Sequence, residues 1–72
     1  MDYIEVFKTN LVSITDAMEL KHVLRSIDKR LNIHFDLDDC DRIMRVKGPA
    51  IKNETIVRAA IEVGVFCEVL PD

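Results

Sequence analysis

The sequence has no tryptophan and only one tyrosine, with two cysteines, two glycines and two prolines among 72 residues. So little glycine and proline excludes a collagen-like repeat and argues against a low-complexity, disordered chain. Two cysteines, Cys40 and Cys67, are too few to staple a small secreted domain. No apolar run approaches the roughly 18 residues of a membrane-spanning helix. There is no basic excess either. Lys and Arg number 10 against 13 Asp and Glu, for a formal charge of −3. That balance gives no electrostatic reason to gather on nucleic acid or on an anionic membrane. The start, Met1-Asp2-Tyr3, lacks the basic residues and apolar core of a signal peptide, so a cytoplasmic chain with reduced thiols is expected. In that setting Asn53-Glu54-Thr55 reads as a helix start rather than a glycosylation acceptor.

What is present is a normal globular mixture, 49% hydrophobic and 32% charged, with a length that suits one domain over residues 1–72. Residues 3–8, Tyr-Ile-Glu-Val-Phe-Lys, are rich in β-branched and aromatic types and predict a strand. Ile4 and Val6 are expected on its inner face, with Tyr3, Glu5 and Phe7 on the other. Ser13 or Thr15 then caps a helix over about 16–30. Its stripe is Leu20, Val23, Leu24, Ile27 and Leu31, at offsets of 0, 3, 4, 7 and 11.

Ile33, Phe35 and Leu37 alternate with His34 and Asp36 as a half-buried strand. After the polar turn Asp38–Asp41, a returning strand runs from Arg42 to Lys47 and stops at Gly48-Pro49. Asn53 is the expected cap of a second helix carrying Ile56, Val57, Ala60, Ile61 and Val63, with Gly64 just past its end. Val65–Leu70 forms the last strand. The order β-α-β-β-α-β, with right-handed crossovers, predicts an α+β, ferredoxin-like fold: a four-stranded antiparallel sheet, ordered 4-1-3-2, with both helices on one face.

Several segments in this frame resemble the heavy-metal-associated domains of copper chaperones and metal-transporting ATPases. Ile33-His34-Phe35-Asp36-Leu37 is similar to the family's alternating strand, and Met44-Arg45-Val46-Lys47-Gly48 to its next strand and glycine. Ile56 through Ala60-Ile61-Glu62-Val63-Gly64 is similar to its second helix, followed by Glu68-Val69-Leu70 in the last strand. The spacing from Ile27 to Ile33 agrees as well. The resemblance implies a Met-x-Cys-x-x-Cys loop between the first strand and first helix, where two thiolates take a soft ion such as Cu(I). Here that loop reads Lys8-Thr9-Asn10-Leu11-Val12-Ser13-Ile14-Thr15-Asp16. Ser13 and Asp16 stand about where the cysteines would be, and a hydroxyl with a carboxylate suits a helix cap, not Cu(I). The turn from Leu37 to Met44 is also longer than the family's, and the usual Gly-Tyr is Gly64-Val65-Phe66.

Cys40 and Cys67 are the remaining thiols. They belong to regions on opposite edges of the sheet, about 14 Å apart at roughly 4.8 Å per strand, too far for a shared ion or disulfide. Cys67 reads as a core residue and Cys40 as a turn residue. Asp36, Asp38, Asp39 and Asp41 invite a calcium reading. An EF-hand loop starting at Asp36 would need Gly and Glu where Asp41 and Lys47 stand. His22 and His34 are the candidates for acid–base chemistry, but no orienting partner or pocket is apparent for either.

Two surfaces remain. Tyr3, Phe7 and Ile43, with His34 and Phe66 beside them, are expected on the sheet face away from the helices, as a protein-interaction or self-association surface. Base stacking there is disfavoured by Glu5 and the charge balance. Lys21, Arg25 and Lys29 form a basic ladder on the first helix, a docking stripe for an acidic protein. The expected function is a non-enzymatic protein-interaction or assembly module without a cofactor, binding neither nucleic acid nor membrane. The alternative is metal handling through Cys40, Cys67 or the histidines.

Overall fold

The computed structural model describes residues 2–70; Met1, Pro71 and Asp72 lie outside the described residues. Its elements are β1 (Tyr3–Thr9), α1 (Ile14–Ile27), β2 (Asn32–Asp36), β3 (Ile43–Gly48), α2 (Asn53–Glu62) and β4 (Cys67–Val69). Every paired strand is antiparallel, in the order β2-β3-β1-β4. This is the ferredoxin-like arrangement expected from the sequence.

Local chemistry sets the helix ends. Ser13 is extended and its Oγ accepts the Asp16 N–H at 3.1 Å, so α1 begins two residues before the expected 16. It stops at Ile27, short of the expected 30, because Asp28 turns extended and its carboxylate engages Arg30. For α2 the cap is Lys52, with no side-chain bond, and Asn53 is the first helical residue rather than the cap. At the far end Gly64 adopts φ +82°, its N–H reaching Ile61 O at 2.9 Å and that of Val65 reaching Ala60 O at 2.8 Å. That pair of bonds is a Schellman stop, and it needs a residue at ease in the left-handed region.

Antiparallel partners share a face, so the ladder sorts the sheet into rows. Phe35, Met44, Phe7 and Val69 form one row towards the helices, and Ile33, Val46 and Glu5 another. The core joins Phe7, Ile33, Met44, Val46 and Cys67 to Leu20, Leu24, Ile56 and Ala60. Gly48 closes β3 where Leu31 crosses it; a Cβ there would meet Leu31 Cδ2 at 2.9 Å and Arg30 O at 3.3 Å. On the other face lie His34, Arg45 and Val6, then Asn32, Lys47 and Ile4, then Asp36, Ile43, Lys8 and Glu68.

The expected facing of β1 is therefore reversed. Phe7 is fully buried in the core, while Ile4 is 61% exposed on the open face. Apolar residues occupy both faces of β1, so alternation alone does not choose between them, and a one-residue change of phase exchanges the faces. Phe7, opposite Met44, fills the middle of the helix-covered layer, which the smaller Ile4 and Val6 would not. Tyr3, opposite Gly48, likewise lies on the helix side.

Candidate functional site

The turn between β1 and α1 is built by hydrogen bonds. Thr9, a buried polar residue at the end of β1, donates its Oγ1 hydrogen to Arg42 O at 2.6 Å and accepts the Leu11 N–H at 3.1 Å. Asn10 pairs with Phe66 twice: its N–H reaches Phe66 O at 3.1 Å, and its Oδ1 accepts the Phe66 N–H at 2.8 Å. Ser13 caps α1. Thr9, Asn10 and Ser13 are thus all engaged in holding backbone. The loop carries no sulfur, and Met18 supplies the one sulfur of α1 as a thioether. A Cu(I) site of the kind the resemblance implies needs at least two soft donors, so the residues of this loop do not fit that ion.

Among the described residues, one group gathers metal-ligating types: Asp39, Cys40 and Asp41, with ligand atoms within 4.8 Å of one another. Its bonds are those of a turn. Asp39 Oδ1 accepts the Asp41 N–H at 2.8 Å, and Asp41 Oδ1 lies 3.9 Å from Lys8 Nζ. Cys67 is not part of the group. It is buried, and burial pushes its thiol up to about 11, away from the thiolate that binds metals. Cys40 is exposed. Both histidines are exposed, His22 on α1 and His34 on the opposite side of the sheet.

The expected surfaces are altered by the fold. Of Tyr3, Phe7 and Ile43, only Ile43 faces away from the helices, and between Asp36 and Lys8 in its row it is just 6% exposed. The three do not form a surface. Of the basic ladder, Lys21 and Arg25 lie on α1, but Lys29 falls beyond its end. Arg25 Nη2 instead donates to Lys29 O at 3.3 Å, and Arg30 is held by Asp28. The ladder is broken because Asp28 ends the helix.

An apolar surface lies elsewhere. Val12, Ile14 and Met18 are 77%, 72% and 66% exposed, in the turn before α1 and its first two turns. Ile14, Ala17 and Met18 form one wall of a groove whose other wall is the end of β2 and the turn after it, with Phe35 and Leu37, and Lys21 and Asp38 stand at its margins. The signal was in the sequence: Ile14 and Met18 are four residues apart and off the Leu20–Leu24 stripe. Only the packing of α1 beside β2 makes them part of a groove.

No family model matches the sequence, and no curated protein matches it. Among solved structures the chain is similar to the yeast copper transporter domain Ccc2a, solved in solution in the apo and Cu(I)-loaded states. The TM-score is 0.80 over 96% of each chain, at 14% sequence identity. The likeness shows the fold alone, the ferredoxin-like arrangement of four strands and two helices. No helix among the described residues is long and apolar enough to cross a membrane.

Proposed function

We propose that this chain is a small non-enzymatic protein-interaction or assembly module, with a heavy-metal-associated-like fold that has lost the family's metal site. The observation that carries the reading is the character of the β1–α1 end. The side chains of Thr9, Asn10 and Ser13 are taken up in structural bonds, while Val12, Ile14 and Met18 are left 66–77% exposed. Exposed apolar side chains beside an apolar groove are the mark of a contact surface. The surface is the α1–β2 groove rather than the open sheet face, where Ile4 and Val6 sit among Lys8, Arg45, Lys47 and His34. The occupant is a protein. Lys21 stands against Asp38 along the groove, which therefore has no basic excess to attract phosphate backbones or anionic lipid.

The test is binding by the wild type against a variant carrying Ile14→Ser and Met18→Ser. Both positions are exposed, so the variant should fold with stability within about 0.5 kcal/mol of the wild type. A protein captured by the wild type is purified and titrated into ¹⁵N-labelled chain. Shifts along Ile14–Lys21 and Phe35–Asp38, lost in the variant, support the reading. Equal binding by the variant overturns it. Uptake of a soft metal through Cys40, Cys67 or a histidine would favour the alternative, metal handling at a divergent site.

A further inference from the structure

The two edges of the sheet are treated differently. β4 is three residues long, with Glu68 at its centre. β2 has five residues, paired one-to-one with β3 from Asn32↔Lys47 to Asp36↔Ile43, with no bulge. Its sequence, Asn-Ile-His-Phe-Asp, has no proline or lysine to blunt the edge, and its one charged residue, Asp36, stands at the strand's end. The outer hydrogen-bonding groups of β2 therefore form an unbroken template about 17 Å long. Alongside it runs the groove of Ile14, Met18, Phe35 and Leu37.

The template is complementary to itself. About His34 it reads polar, apolar, His, apolar, polar. We propose that two copies of this chain join through the free edge of β2, antiparallel about a two-fold axis at His34, to form one eight-stranded sheet. The proposal rests on the reading of the groove as a contact surface and names its occupant. Ile33 then faces Phe35 of the second copy, so the apolar layer under the helices continues across the junction. Asn32 faces Asp36 of the second copy, an amide against a carboxylate. His34 faces His34 of the second copy on the open face, each beside its own Arg45. This register brings no two acids opposite each other and uses all five residues of the strand. A register centred on Phe35 would place His34 against Asp36 and draw the turn residue Leu37 into the ladder.

Sedimentation equilibrium of the wild type up to about 1 mM should show mass rising above the 8.3 kDa of one chain. Two variants at the exposed axis position test the register. H34D sets two carboxylates against each other, and H34K two ammonium groups, so each alone should weaken the dimer about fivefold. Mixed, they should form a heterodimer tighter than either homodimer. Far-UV circular dichroism and thermal melts confirm that both fold. A wild type that stays monomeric overturns the proposal. So does a dimer indifferent to both variants, or one that H34K alone strengthens, as pairing with Asp36 would require. The groove reading fails separately, through a partner that binds the Ile14→Ser, Met18→Ser variant unchanged.

Discussion

Thr9 Oγ1 and Arg42 O lie 2.6 Å apart, a bond joining the end of β1 to the turn between β2 and β3 across 33 residues of sequence. Arg42 presents that carbonyl from a left-handed backbone, φ +49°. The Thr9 N–H reaches Asp41 O at 3.1 Å from the same strand end. Two turns that are distant in sequence are thereby fixed to each other, and the fully buried Phe7 sits two residues up the strand.

Thr9→Val removes the hydroxyl and keeps the volume. It leaves Arg42 O and the Leu11 N–H without their side-chain partner, and should cost about 2 kcal/mol. Urea denaturation measures it. A loss below about 0.5 kcal/mol would mean that water replaces both bonds.

The thiols should separate by reactivity. At pH 8 a bulky alkylating reagent should label Cys40 and spare Cys67, and mass spectrometry should find two labels only after denaturation. Burial holds Cys67 as the neutral thiol, its value raised from 9.0 to about 11. Because the folded value is the higher one, the favourable contribution is complete below pH 9 and is lost as the pH rises towards 11. Cys67→Ala should remove that part of the alkaline decline.

Asp28 should titrate far below an ordinary carboxylate. Arg30 donates from its Nε at 3.0 Å, its backbone N–H at 2.9 Å and its Nη2 at 2.8 Å, drawing Asp28 from 3.8 down to about 2. A depressed folded value contributes stability above pH 3.8, and that contribution is lost as the pH falls towards 2. Carboxyl-detected NMR should place the Asp28 midpoint at the acid end of the aspartates, and Arg30→Gln should return it towards 3.8.

Signals confined to a few residues were legible before the structure. Ser13 caps α1, Gly64 ends α2, and Ile33 alternates with His34 into a strand. Each depends on neighbours within one turn or one pleat. The order of the elements followed from the same signals and led to the fold. The facing of β1 was not legible, because Ile4 and Val6 compete with Tyr3 and Phe7, and the choice is made by Met44 on a strand 37 residues away. The expected interaction face of Tyr3, Phe7 and Ile43 failed with that choice. The basic ladder is cut short for a local reason, since Asp28 prefers Arg30 to another helical turn and leaves Lys29 beyond α1. The α1–β2 groove was least visible of all, because it exists only where two elements meet.

The proposed loss of the metal site rests on a β1–α1 turn that carries no sulfur. Its direct test is a ¹⁵N NMR titration of the reduced chain with Cu(I), to one equivalent. No saturable shift is expected in the amides of residues 10–16, with any weak change confined to the exposed thiol of Cys40. Saturable one-to-one shifts centred on Asn10–Asp16 would contradict it, and would return the chain to metal handling.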